Sequence, residues 1–311
     1  MLPKVSIVIP VYDVKGVFLD AINSVLMQSF TNYEILVIDD GSTQPISDLR
    51  KMDSRIHVIR HDKNKGAPAA RNTGILHACG ELVAFLDSDD TWLPDKLKVQ
   101  SSWMHQNQHV GATTTGFFCY SEEGDSLEIP HNQKNWYRYF MRGMSLSPGT
   151  NLMVWRKYMI ACLYNEAFLR LEDLDWALRF SKEYDFWIIQ QPLAIINRGK
   201  RPSALKMELA DLKLLEIHST DFHKQGFFYG RYCIGKRYLE IATHYFREKN
   251  RRKGNFYLWK AIKENPFQHP SMYVRIIDYV LGTSFIKNIK EIRKKILYKG
   301  KLHNENNSHN H

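Results

Sequence analysis

Residues 83–94 read VAFLDSDDTWLP. An apolar run ends directly in three carboxylates, Asp87, Asp89 and Asp90. Like charges this close repel, and each prefers water to an apolar neighbour. A hard divalent cation makes such a cluster tolerable at a strand end. Mg²⁺ or Mn²⁺ takes one or two protein carboxylates and completes its shell with water and phosphate oxygens. The ligand of such a site would be a nucleotide diphosphate. The alternative is that Asp89 and Asp90 cap a helix beginning near TWLPDKL.

Outward from this stretch the chain alternates strand and helix. KVSIVIPVY (4–12) is β-branched and continuous, as a strand buried on both faces should be. GVFLDAINSVLMQSF (16–30) places Phe18, Ile22, Val25 and Leu26 at helical spacing. YEILVIDDGST (33–43) is a second strand, RIHVIRHD (55–62) a third, GAPAARNTGILHACG (66–80) a helix and ELVAFLDSDD (81–90) a fourth strand. This order predicts an α/β fold, a mostly parallel sheet flanked by helices. In such sheets ligands bind beyond the carboxyl ends of the strands. Polar residues collect there: Tyr12 and Asp13, Asp39 and Asp40, His61 and Asp62, and Asp87 to Asp90. No GxGxxG or GxxxxGK[ST] occurs, so neither a dinucleotide fingerprint nor a P-loop is supported.

With 311 residues, 44% of them hydrophobic, the chain has room for one large domain and a smaller one. No apolar run approaches the ~20 residues of a transmembrane helix, and the N-terminal run reads as a strand rather than a signal peptide. Cys79, Cys119, Cys162 and Cys233 are scattered, which predicts a reduced, cytoplasmic protein without a zinc site. The net charge of +10 is uneven. Residues 1–199 hold 20 basic against 23 acidic side chains, and residues 200–311 hold 23 against 10. That asymmetry marks a boundary near residue 200.

Five stretches carry a resemblance: VSIVIPVYD, SVLMQSFTNYEILVIDDGST, NKGAPAARNTGI, FLDSDDTWLPDKL and YNEAFLRLEDLDWALRF (164–180). In this order they resemble the family 2 glycosyltransferases of the GT-A fold, over about residues 3–200. The resemblance implies inverting transfer of a sugar from a nucleotide diphosphate sugar, UDP- or dTDP-linked, to a hydroxyl in cell-surface polysaccharide synthesis. The acceptor would be a glycan or a lipid-linked glycan. By this resemblance Pro10 and Tyr12 line the base pocket, Tyr12 stacking on the base. Asp40 accepts a hydrogen bond from the base ring, which suits uracil or thymine; it is also placed to form the turn before Gly41. Arg71 would lie near ribose and diphosphate. Asp87 and Asp89 match the DxD pair that holds ribose and, through Mg²⁺ or Mn²⁺, the diphosphate. Asp173 would be the general base, and Glu172 would touch the acceptor or orient the base. Asp173 stands in the first turn of a helix, where the dipole favours an ionised carboxylate. Asp175 and Trp176 read as supports of that helix.

The chain departs from the family at Gln44 and Pro45, where an acid is usual. NRGKRPSAL (197–205) stands where members carry a basic-aromatic stretch that closes on the diphosphate, but it lacks the usual histidine. WYRYFMRGM (136–144), within the unread segment 115–150, fits either an acceptor lid or a packed helix. The expected domains are a catalytic one over 1–204, a helical, basic region over 205–302 and a disordered tail over 303–311. Residues 238–266 resemble one tetratricopeptide-like helix pair ending in Asn-Pro. In SFIKNIKEIRKKILYKGK (284–301) isoleucines form one stripe and basic residues the rest, a pattern that suits an anionic membrane surface. The protein is therefore expected in the cytoplasm, peripheral on the inner face of the cell membrane. Competing functions are a non-catalytic basic protein that binds nucleic acid, or a sugar-nucleotide-binding scaffold. Acidic Asp87 and Asp89 argue against a nucleic-acid partner, and intact Asp87, Asp89 and Asp173 against the scaffold.

Overall fold

A computed structural model describes residues 4–13, 16–46, 49–122, 124–143, 148–199 and 201–266. The continuous apolar runs become the buried centre of one sheet. β1 (Val5–Val11) leads through α1 (Phe18–Leu26) to β2 (Tyr33–Asp39), then to β3 (Ile56–Arg60), α2 (Ala67–His77) and β4 (Leu82–Phe85). β1 pairs in parallel with both β2 and β4, and β2 with β3. The chain thus leaves β1 toward one side and returns on the other. That reversal opens a crevice beyond the ends of β1 and β4.

α1 buries Phe18, Ile22 and Val25 against Val5, Ile7 and Ile9, so its apolar stripe does the packing that its spacing predicts. α2 lies close to β1, because Gly74 has no side chain. A Cβ there would collide with the Val8 side chain.

The sheet continues as a mixed one. β5 (Thr91–Trp92), α3 (Lys96–Gln106), β6 (Ala112–Tyr120), β7 (Ser126–Glu128), α4 (Trp136–Met141), α5 (Pro148–Asn151), β8 (Met153–Trp155), α6 (Arg156–Ala161), α7 (Glu172–Phe180) and β9 (Phe186–Asn197) follow. Among the described residues the strand order is β3-β2-β1-β4-β8-β6-β9-β5, with β7 beside β6. β8 runs antiparallel to β4 and β6, and β6 and β9 are parallel across a bulge near Gly116. A short strand and a loop therefore separate the acidic cluster from α3, and neither Asp89 nor Asp90 caps that helix.

α4 is a packed helix in this structure: Trp136, Tyr139, Phe140 and Met141 are buried. Its rings meet Phe186 (Phe140–Phe186 centroids 5.1 Å) and continue through Phe180 to Trp176 on α7 (4.6 Å). Offset and edge-to-face contacts of this kind add to the burial of large rings. α7 is also held from α8 (Ala204–Lys224). Asp175 is fully buried, and a carboxylate can only accept. It takes hydrogen bonds from His218 Nε2 (2.9 Å) and from Arg179 Nε and Nη2 (2.9 and 2.8 Å). Burial acts to raise the Asp175 pKa, but the His218 and Arg179 hydrogen bonds win and hold it below the ordinary range. Trp176 donates its indole N–H to the Cys162 carbonyl (2.8 Å). Both residues thus support α7, as the sequence suggests.

Residues up to Phe222 form one compact unit, and a second begins at His223. The expected boundary after residue 204 falls at the start of α8, and the division between units lies near its end. In the second unit α9 (Phe227–Arg247) and α10 (Arg251–Glu264) form an antiparallel-type hairpin of helices joined by Glu248–Asn250, with Tyr245 stacked on Tyr257 (6.2 Å). Asn250 caps α10 by accepting from Lys253 N–H, and Asn265-Pro266 follows the helix end. Among the described residues no helix is long and apolar enough to cross a membrane. The basic stripe at 284–302 and the tail at 303–311 lie outside the described residues.

Asp175→Ala leaves buried His218 without its carboxylate partner and half-buried Arg179 with only its Leu163 carbonyl and Cys162 contacts. Urea unfolding at pH 7 is expected to show a loss of about 3–5 kcal/mol. Because the native pKa is depressed, the carboxylate's contribution is present above the unfolded-state carboxylate pKa of about 4 and shrinks as pH falls below it. The gap between wild type and variant should narrow accordingly in acid.

Candidate active site

The crevice between β1 and β4 holds a cleft of about 270 Å³. Pro10 and Tyr12 come from the end of β1, Asp40 from the end of β2, Arg71 from α2, and Asp87 and Asp89 from the turn after β4; all six line it. Glu172, the first residue of α7, lines the same cleft. Residues far apart in sequence are therefore brought to one place. A larger open depression of about 430 Å³ lies between α3 and β9, but its charges are only Asp95 and Lys98 beside Val99, Pro192 and Leu193.

Arg71 is the centre of the cleft's charge. It is buried, at 4% exposure, where a helical arginine usually faces solvent. Its Nη2 donates to Asp87 Oδ1 (2.9 Å) and its Nη1 to Glu172 Oε1 (3.0 Å). Nη1 also lies 4.0 Å from Asp173 Oδ1. One guanidinium thus joins the DxD turn to the ED helix. Burial opposes its charge, but Asp87 and Asp173 outweigh that and keep it protonated. The ring of Tyr164 lies 5.6 Å from the guanidinium. The next residue, Asn72, fastens the same segment. It donates to the Tyr164 carbonyl (2.9 Å) and Glu166 Oε1 (2.9 Å) and accepts from Tyr164 N–H (2.9 Å). Sequence reasoning missed Asn72 and Tyr164. The pairing of Arg-Asn on a helix with Tyr-Asn-Glu in the last matched stretch is the signal that was there to read.

Asp173 behaves differently from the expectation set by its helix end. Its pKa is pushed up to about 7: burial is the largest cause and repulsion from Glu172 the next, and the pull of Arg71 does not offset them. The dipole of a helix N-terminus favours ionisation by a smaller amount than this. Its Oδ1 is buried without a hydrogen-bond donor, while the side chain keeps 26% of its surface open. Such an oxygen is placed to receive a proton.

Asp40 is nearly buried, and its oxygens already accept from His61 Nδ1 (2.7 Å), Lys65 N–H (2.9 Å) and Gly66 N–H (2.7 Å). It orders the approach to α2. The turn before Gly41 is formed instead by Asp39, whose Oδ1 accepts from Ser42 N–H (2.8 Å). Asp40 Oδ2 accepts from Gly66 N–H, and a carboxylate oxygen accommodates two donors, which leaves room for a ligand donor. Tyr12 is 52% exposed, as a ring awaiting a flat partner would be.

The three acids after β4 have separate tasks. Asp87 is half-buried against Arg71 and packs closely on Gly149 of α5, where a Cβ would collide with its Oδ2. Asp89 is exposed in the cleft. Asp90 is buried and ties down the turn: Thr150 Oγ1 donates to its Oδ2, and Asn197 N–H donates to its Oδ1 (2.7 Å). The Asn197 side chain also donates to the Asp89 carbonyl (2.6 Å). Burial, and then repulsion from Asp87, push the Asp90 pKa up to about 7. Arg198 and Arg201 of the basic stretch are not among the cleft-lining residues, and Asn197 of that stretch contacts the acidic turn.

The donor set fits a hard divalent cation. Asp87, with 35% of its side chain exposed, and exposed Asp89 supply carboxylate oxygens within the cleft. Among the described residues no group of three or more His, Cys, Asp or Glu forms a cage. A pair of carboxylates suits a cation such as Mg²⁺ or Mn²⁺, whose remaining positions are usually taken by phosphate and water.

Comparison with known proteins agrees with this fold. The family model "Glycosyl transferase family 2" matches residues 6–167. TuaG of Bacillus subtilis, named for teichuronic acid biosynthesis, is 38% identical over 130 residues, covering 40% of this chain and 51% of TuaG. WfgD of Escherichia coli, a UDP-Glc:alpha-D-GlcNAc-diphosphoundecaprenol beta-1,3-glucosyltransferase, is 43% identical over 105 residues, 33% of this chain and 42% of WfgD. For relatives from Rickettsia species and B. subtilis the chain spans between 18% and 51% of their length. In fold, the chain is similar to the mannosyltransferase PcManGT from Pyrobaculum calidifontis, solved in complex with GDP-Man and Mn²⁺. The TM-score is 0.56 at 14% identity, over 90% of this chain and 80% of that one. With the family model spanning more than half of its residues, the chain belongs to glycosyl transferase family 2.

Proposed function

We propose that this chain transfers a sugar, with inversion, from a nucleoside diphosphate sugar to a hydroxyl of a cell-surface polysaccharide intermediate. The observation that carries this reading is Arg71, which draws the Asp87 side and the Asp173 side of one cleft together around a buried charge. Donor binding falls to Pro10, Tyr12, Asp40, Arg71, Asp87 and Asp89. Tyr12 offers its exposed ring to the base, and Asp40 Oδ2 accepts from a base ring N–H. That favours uracil or thymine. Asp87 and Asp89 would hold Mg²⁺ or Mn²⁺, which when bound supplies Lewis-acid stabilisation of the diphosphate. The acceptor named for WfgD makes a lipid-linked glycan the acceptor of choice here. The basic stripe at 284–302 would bring the enzyme to such an acceptor at the inner face of the membrane.

The reaction has one nucleophile and one leaving group. The acceptor oxygen bonds to the anomeric carbon as the bond from that carbon to the diphosphate oxygen breaks. The bonding pair leaves on the diphosphate. The acceptor's proton passes to Asp173, whose undonated Oδ1 is free to take it. Glu172, held by Arg71, keeps Asp173 ionisable at neutral pH rather than lower. A base with a pKa near the working pH balances its ionised fraction against its basicity.

Turnover should accordingly rise as pH climbs through about 7, where Asp173 loses its proton, and level off above. Asp173→Asn is expected to lower kcat by about 10²-fold or more, to flatten that rise and to keep nucleotide affinity. Release of nucleoside diphosphate, followed across pH, measures all three. Normal turnover in the variant would place the base elsewhere.

Asp89→Ala should stay folded and lose Mn²⁺-dependent nucleotide binding. Calorimetric titration of UDP, dTDP and GDP with and without Mn²⁺ tests it. An unchanged metal dependence would remove Asp89 from the cation site.

A further inference from the structure

The cleft holds more negative charge than its own cations balance. Asp87, Asp89 and Glu172 line it, and Asp173 lies 4.0 Å from Arg71. Three of these four carboxylates already share Arg71. A second cation stands on the cleft wall, Arg170. It is exposed, and among the described residues no hydrogen bond or ion pair holds its guanidinium. It is near enough for its field to favour ionised Asp173, yet it is not spent on any carboxylate.

The backbone beside it is unusual. Leu171 sits at φ 63°, in the left-handed region, immediately before α7. A branched side chain adopts that conformation at a cost, and such outliers gather where a ligand is clamped. Here the turn separates Arg170 on the wall from Glu172, which faces Arg71. A helix that simply ran on through residues 170–172 would lack this break.

We propose that Arg170 is a phosphate-binding residue of the cleft, taking an oxygen pair of a diphosphate in the guanidinium fork. This rests on the reading of the cleft as a nucleoside diphosphate site. Planar, bidentate recognition of phosphate is what an arginine supplies and a lysine does not. Two sources present the same chemistry: the donor's diphosphate, which gains negative charge as the sugar leaves, and the diphosphate of a lipid-linked acceptor. The donor's diphosphate belongs beside Asp87 and Asp89, in the cleft that Arg170 also lines.

The test uses the full chain with Mn²⁺ and the nucleoside diphosphate among UDP, dTDP and GDP that wild type binds. Arg170→Ala should weaken that diphosphate by about tenfold or more, leave the matching nucleoside, which has no phosphate, unchanged, and be partly rescued by Arg170→Lys. If affinity for the diphosphate is unchanged, acceptor kinetics decide the source. A KM about tenfold higher for a diphosphate-linked glycan, but not for the same glycan without phosphate, assigns the residue to the acceptor. Normal values in both assays overturn the proposal. A wild-type chain that binds none of the three diphosphates overturns the donor-cleft reading itself, and this inference with it.

Discussion

A single buried guanidinium, that of Arg71, holds the two chemical sides of this molecule together. A charge taken out of water is costly unless it is paired and hydrogen-bonded. Arg71 meets that condition only when the turn after β4 brings Asp87 to one amine and the start of α7 brings Glu172 to the other. The same condition places Asp173 within reach. Much of the surrounding architecture serves this arrangement. Gly74 lets α2 approach β1, Asn72 fastens the Tyr164 segment, and Asp90 fixes the acidic turn through Thr150 and Asn197. The aromatic rings of α4, α7 and β9, with the Asp175–His218 pair, set the helix from which Glu172 and Asp173 project.

Two carboxylates with similar sequence surroundings end with different chemistry. Asp175 and Asp173 lie two residues apart on α7, yet one is held ionised by two donors and the other is raised to about 7 for want of them. Donors, not burial alone, make the difference, since burial is the largest opposing influence at both. That division suits one acid to structure and the other to proton transfer.

The fold was legible where local pattern carries it. β1, β2 and β4 are buried on both faces and show as continuous apolar runs. β5 and β8, with two and three residues, are too short to show a period, so the mixed half of the sheet was not read. The gathering of Tyr12, Asp40, Asp87 and Asp89 in one cleft was legible because these residues follow strand ends. The burial of Arg71 was not, since its partners lie 16 and 101 residues away. Nor was the role of Asp90, whose partners are 60 and 107 residues away. The dipole argument for Asp173 failed because it counted the helix and not the neighbouring Glu172 and the burial.

The central claim is that Arg71 offsets the mutual repulsion of Asp87, Glu172 and Asp173. Urea unfolding of Arg71→Met and wild type, at pH 8 and at pH 5, tests it most directly. Without the cation the three carboxylates repel when ionised and are relieved when protonated. The account predicts a loss of about 3 kcal/mol or more at pH 8 and a clearly smaller loss at pH 5. An equal loss at both values would contradict it and leave Arg71 as packing alone.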